Sequence, residues 1–389
     1  MAVAIGETII SVGLIAVTVP SILVSLLARR LVTDSEIPFK EDLQRSFARG
    51  LSILPLGVIK RHFRQPPIDT LLNSPRFSAS NNELCTRVSN SNLCNGFWIC
   101  GAPRNEPHQD QDRDPDLTEE NNFVLLWLHG GAYYFGHPLG CTATLLRVSE
   151  IVKSRTENLS LRIFALEYTL APEGKFPTQQ QQSLAAYRYL HSLGFRPEQI
   201  VVAGESAGGH LAISCLLGLE GRELPKPRGA LLLFPWVNLE NSSPSFVKNK
   251  NKDALSRRLL DRCVEAVGAK DGGDELGLVD FTQRCSVEGK KENKNKEKSW
   301  KDVLPAKTWV NVGSHDLFLH DIQSFVANAE ADGADIELQV TPCMGHGWQI
   351  GLDQPTVKEY CNLGPGQEVP NGVMRGSESI AEGLLKLLV

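Results

Sequence analysis

The sequence predicts an α/β protein: a mostly parallel central sheet with helices on both faces. Short strand-like apolar runs alternate with helical patterns through most of the chain, which is the signature of such a sheet. The pentapeptide Gly204-Glu205-Ser206-Ala207-Gly208 directly follows one of those runs, and turns carrying an aspartate and a histidine follow two others. Side chains gathered at strand ends are the usual composition of a site in an open α/β sheet.

Taken in order, residues 123–128 form an unbroken apolar run that reads as a strand and leads into His129-Gly130-Gly131. Residues 161–167 and 199–203 are the next strands, with a helical pattern over 179–193 between them, closed by Gly194. Residues 229–234, 308–312 and 335–340 complete the series. Residues 29–120 do not continue the alternation, and 243–300 interrupt it. Both pieces are candidate cap elements, with 254–267 as an ordered helix. Phe47, Leu51, Ile53, Leu54 and Leu56 either line an entrance or pack as an amphipathic helix. The expected division is therefore 1–28 membrane anchor, 29–120 extension and cap, 121–242 first part of the core, 243–300 cap insertion, and 301–389 second part of the core.

The pentapeptide carries the chemistry. A G-x-S-x-G sequence after a strand makes a sharp strand-to-helix turn that lifts the serine hydroxyl out of the sheet, so Ser206 is the expected nucleophile. A serine hydroxyl needs a base, a residue to orient that base, and donors for a developing oxyanion. Of the nine histidines, His346 follows the strand-like run 335–340 in a loop marked by Pro342, Gly345 and Gly347, which makes it the base. Asp316, in the turn leaving 308–312, is better placed as the acid than Asp321, which falls on the following helix. The order Ser206, Asp316, His346 is that of an α/β-hydrolase. The expected oxyanion donors are the backbone N–H groups of Gly130, Gly131 and Ala207. His129 reads as an anchor for the glycine loop, and Glu205 as a partner for nearby backbone groups.

His129-Gly130-Gly131-Ala132-Tyr133, Tyr168-Thr169-Leu170-Ala171-Pro172-Glu173, the Gly204-Glu205-Ser206-Ala207-Gly208-Gly209 elbow and His346-Gly347 together resemble the hormone-sensitive-lipase-like branch of the α/β-hydrolases. The resemblance spans residues 120–389, and the anchored layout is similar to that of fungal steryl acetyl hydrolases. It implies a carboxylesterase or deacetylase cleaving short acyl esters, acetyl above all, of hydrophobic alcohols such as sterols or terpenoids, with no cofactor. Two positions depart from the pattern: Ala132 stands where many relatives have a third glycine, and Asp316-Leu317-Phe318 where many have Asp-Pro-Leu. An acyltransferase would use the same acyl-serine, and the plant gibberellin receptor shares the fold but lacks the histidine that this chain retains.

A net charge of −5 carries no basic surplus for nucleic acid. The lysine-rich stretch 290–298 lacks apolar residues and reads as a solvated loop. Asp110, Asp112 and Asp114 imitate the start of a calcium loop, but Pro115 and Asn121 occupy its glycine and glutamate positions, so no metal is expected. From Thr8 to Ala28 the chain is uncharged and apolar, about the ~20 residues a spanning helix needs. Arg29-Arg30 follow where a signal peptide would need a cleavage site, which favours an anchor. Its orientation is marked both ways. The basic residues after the span place the body in the cytosol. The sequons at Asn158 and Asn241 and nine cysteines point outside it. The resemblance implies an endoplasmic reticulum membrane protein with a lumenal catalytic domain.

Overall fold

The computed structural model describes residues 2–32, 35–62, 66, 68–90, 94–103, 121–156, 159–222, 224–270, 277–283 and 299–389. Eight strands form one sheet: β1 (Thr86–Asn90), β2 (Cys94–Cys100), β3 (Asn122–Leu128), β4 (Ser160–Leu166), β5 (Ile200–Glu205), β6 (Gly229–Leu233), β7 (Lys307–Gly313) and β8 (Ile336–Thr341). Their order is β1-β2-β4-β3-β5-β6-β7-β8. From β4 to β8 every neighbouring pair is parallel, and the β1–β2 and β2–β4 pairs are antiparallel. All six expected strands are present within a residue or two of their expected ends. The antiparallel pair β1 and β2 was not anticipated, because it falls in a stretch of 29–120 that shows no alternation with helices.

The helices are α1 (Ala2–Val32), α2 (Phe39–Leu51), α3 (Leu56–His62), α4 (Ile68–Leu72), α5 (Thr142–Arg155), α6 (Thr178–Ser192), α7 (Ala207–Glu220), α8 (Ser245–Lys248), α9 (Arg257–Val267), α10 (Trp300–Val303), α11 (Leu319–Ala331), α12 (Trp348–Asp353), α13 (Val357–Asn362) and α14 (Arg375–Leu388). Strand side chains alternate between faces, so each strand feeds two cores. In β3, Val124, Leu126 and Leu128 join the cluster beneath α6, α7 and α11, while Phe123, Leu125 and Trp127 join the one beneath α5 and α14. Burial on both faces explains why β3 is apolar from Phe123 to Leu128.

The anchor expected over 1–28 gains no support. Among the described residues no helix is long and apolar enough to cross a membrane. The C-terminal part of α1 instead packs on α2 and buries Leu26, while Val17, Val24, Leu27 and Leu31 stay exposed. Arg29 and Arg30 both pair with the fully buried Asp42, at 2.5 and 3.0 Å. The basic pair thus also has a tertiary role, because a buried carboxylate needs partners.

Candidate active site

Ser206 joins β5 to α7 with φ 53° and ψ −118°, a conformation costly for a residue with a side chain and typical of a nucleophile elbow. The turn is held from β6: Ser206 N–H donates to Leu233 O (2.9 Å) and Trp236 N–H to Ser206 O (3.0 Å). Gly208 is required because α7 crosses over the end of β3 in contact with it. A Cβ there would lie 2.0 Å from Leu128 O. The Ser206 side chain makes no hydrogen bond among the described residues, and the residue is 9% exposed.

Asp316 lies in the turn leaving β7 and is fully buried. Its Oδ1 accepts Phe318 N–H (2.8 Å), and its Oδ2 faces His346 Nδ1 at 3.0 Å. His346 follows β8, with Phe234 and Phe318 meeting its ring edge-on at centroid distances of 4.7 and 4.9 Å. Phe234 comes directly after Leu233, the β6 residue that holds the elbow. With Nδ1–H donated to Asp316, Nε2 is left as an acceptor. Burial pushes the imidazole pKa down. The charge and hydrogen bond of Asp316, followed by the charges of Asp253 and Glu205, outweigh it, and the pKa is raised. A base must be neutral to take a proton, so activity should fall as pH drops through this raised pKa. The acid limb of kcat/KM is expected to have its midpoint above the ordinary histidine value of about 6.5. A pH–rate profile on a non-ionising ester checks this, and a midpoint below 6 would contradict it.

The loop after β3 departs from expectation at one residue. Gly130 N–H donates to Glu205 Oε1 at 3.2 Å, so the carboxylate behind the loop occupies it and it is not an open oxyanion donor. Gly131 and Ala207 N–H groups make no hydrogen bond among the described residues. Glu205 is a backbone partner, as expected. Burial raises its pKa, opposed by the bonds from Gly130 and Cys141. His129 Nδ1–H donates to Gly130 O (2.7 Å), and its ring stacks on Tyr168 at 4.2 Å. Burial lowers the His129 pKa to about 4, so the ring stays neutral as a loop anchor. Tyr133 OH meets His210 Nδ1 at 2.7 Å, with His210 Nε2 on Leu278 O (2.8 Å), which ties the loop to α7.

A strained serine elbow, a carboxylate–imidazole pair and an N–H-rich loop thus converge at the C-terminal ends of parallel strands. Residues 125–350 match the profile of the alpha/beta hydrolase fold family. The chain belongs to this family. Among its relatives, this α/β-hydrolase is 31% identical over 138 residues to an acetyl-hydrolase of Streptomyces hygroscopicus, covering 36% of this chain and 44% of that protein. It is 25% identical over 305 residues to a Schizosaccharomyces pombe protein named provisionally as a steryl acetyl hydrolase, covering 72% and 71%. The crystal structure of an esterase from the bacterial hormone-sensitive lipase family superposes with a TM-score of 0.63 at 23% identity, over 91% of this chain and 100% of that one. The chain spans about half the length of several curated relatives it matches.

The other sequence-derived candidates in this α/β-hydrolase have different places. Asp321 lies on α11, where it accepts hydrogen bonds from Ser243 (2.7 Å) and Asn238 (3.3 Å). His315 turns toward Arg45 and Glu36. Asn241, expected as a glycan acceptor, is fully buried; its amide accepts from Trp236 (2.8 Å) and donates to Asp261 (2.9 Å), which leaves no place for a glycan. Asn158, Asp110, Asp112, Asp114 and the lysine-rich stretch 290–298 lie outside the described residues. A cavity of about 420 Å³ opens onto His346, lined by Lys40, Glu41, Arg45, Trp348, Leu352 and Pro355 among others. Sequence reasoning missed the segment 243–253. Ser245, Asn249 and Asp253 all bond the backbone of the acid turn, and a short polar run between helices carries no periodic signal for that.

Proposed function

We propose that this α/β-hydrolase is a serine carboxylesterase that cleaves short acyl esters, acetyl esters among them, of hydrophobic alcohols such as sterols or terpenoids. The observation that carries the reading is the 3.0 Å contact of Asp316 with His346 Nδ1, which frees Nε2 to act as a base. Ser206 Oγ attacks the ester carbonyl and His346 takes its proton. The tetrahedral oxyanion accepts from the N–H groups of Gly131 and Ala207. His346 then protonates the departing alcohol, and water releases the acid by the same steps in reverse roles.

The names of two relatives, an acetyl-hydrolase and a steryl acetyl hydrolase, support the acetyl group and the sterol. Ala132 supports a small acyl group, since its methyl takes space that a glycine would leave. The test is a matched series of acetyl, butyryl and octanoyl esters, an acetylated sterol, and an arm with added short-chain alcohol. Acetyl and butyryl kcat/KM should exceed octanoyl by about tenfold or more, in line with what a few methylenes are worth in a pocket, and the sterol ester should release acetate. Preference for octanoyl would remove the short-acyl assignment. Ester formed on the added alcohol in excess of free acid would identify a transferase.

A further inference from the structure

Asp253 stands between α8 and α9, in a part of the chain far in sequence from the pair it touches. It is fully buried, and its carboxylate is spent on backbone N–H groups. Oδ2 accepts Leu317 N–H at 2.6 Å, the residue after the acid. Oδ1 accepts His346 N–H at 3.0 Å, and also Ala254 (2.6 Å) and Leu255 (3.4 Å). One carboxylate therefore holds both loops whose side chains meet at Asp316 Oδ2 and His346 Nδ1. The loop packs closely on it: a Cβ on Gly345 would lie 3.3 Å from Asp253 Oδ1.

The surrounding elements fix this residue in turn. Arg49 of α2 donates to Asp253 O. Arg45 of α2 donates to Lys252 O (2.7 Å) and Cys343 O (3.2 Å), clasping the aspartate's own segment to the histidine loop. Asn249 Nδ2 donates to Asp316 O at 2.8 Å. The charged groups facing Asp253 are Asp316, His346 and Arg49.

We propose that Asp253 is a positioning residue for the ester hydrolysis assigned above: its ionised carboxylate fixes the His346 and Asp316 loops in register and adds a second negative charge that favours the imidazolium formed when His346 takes the Ser206 proton. All four polar partners of the carboxylate are donors, so only the ionised form satisfies them. Burial, then the charge of Asp316, raises the Asp253 pKa, opposed by His346 and by the N–H bonds that favour the ionised carboxylate. The Asp253 charge also works to raise the His346 pKa.

The inference rests on the esterase reading, so its test needs one readout that does not use turnover. In Asp253→Asn of the full chain, kcat on an acetyl ester should fall about 10²-fold with KM within about twofold, the size of effect that a small misplacement of reacting groups produces. His346, followed by NMR of ¹³C-labelled histidine and assigned with His346→Gln, should titrate at lower pH than in wild type, because a favouring negative charge is gone. Unchanged kcat and titration overturn the proposal. A fall in kcat with the titration unmoved overturns it too, since that is what general loosening gives. If Asp253→Asn does not fold, Gly345→Ala displaces the same contact without removing the charge. It should lower kcat about tenfold at constant KM and leave the His346 titration in place, and wild-type kcat there overturns the proposal. Wild-type protein that cleaves no ester removes the assigned function, while the His346 titration in wild type and Asp253→Asn still reports on the charge.

Discussion

Replacing Ser206 by alanine is expected to lower kcat on an acetyl ester by about 10⁶-fold, the order seen when the nucleophile of a triad is removed and only transition-state binding remains. The protein should otherwise be unaltered. Ser206 already holds a side chain at φ 53°, so alanine adds no backbone strain. The hydroxyl makes no hydrogen bond among the described residues, so its loss leaves no buried partner unsatisfied. Tm should stay within about 2 °C of wild type, since a substitution without a named packing or hydrogen-bond loss costs about 0.5 kcal/mol or less. Steady-state hydrolysis beside a thermal melt makes the comparison. Loss of activity together with a large drop in Tm would point to a role for Ser206 in holding the elbow. Retained activity would mean that another group attacks the ester.

The parts of this fold that were legible in the sequence are those where local pattern and tertiary role agree. Strands β3 to β7 are read because a strand buried on both faces is largely apolar, as Asn122–Leu128 nearly is, edge strand β8 because apolar and polar residues alternate along it, and all of them because a turn marked by glycine or proline follows. The elbow is read because its steep turn and the crossing of α7 over β3 tolerate only small residues around Ser206. Asp316 and His346 are read from their places after strands, and their side chains meet.

What escaped reading has long-range causes. Strands β1 and β2 lie at the sheet edge and run antiparallel to their neighbours, so no helix follows them to complete a βαβ pattern. The Gly130 N–H is an open donor in sequence terms, and only the approach of Glu205 from the neighbouring strand closes it. Arg29 and Arg30 both pair with Asp42 in the folded chain, a contact that composition does not show. Residues 243–253 show the limit best. Their function is to bind the backbone of a turn some 65 positions away, as Asn249 does to Asp316 with a sequence separation of 67. Nothing in residue type or spacing encodes which distant carbonyl a side chain will meet.

Asp316→Asn separates the acid's electrostatic role from its structural one, and the expected result is a loss of about 10⁴ in kcat with KM nearly unchanged, the size known from the equivalent substitution in the best-studied triad. The substitution keeps the shape. Asparagine's oxygen can still accept Phe318 N–H, now at 2.8 Å from Asp316 Oδ1, so the acid turn keeps its local bond. The amide –NH₂ then faces His346 Nδ1 and donates to it, which obliges the ring to carry its proton on Nε2. A histidine in that tautomer has no lone pair to offer Ser206, so the population able to begin the reaction collapses. The charge and hydrogen bond of Asp316, the largest causes raising the His346 pKa, are removed as well, leaving burial opposed only by the charges of Asp253 and Glu205. The residual activity should therefore lose its acid limb at a lower pH than in wild type. Both effects can be read from kcat/KM profiles of the two proteins. Near-normal turnover in Asp316→Asn would show that a different carboxylate orients the base, and Asp253, whose own bonds run to the same two loops, would be the one to replace next.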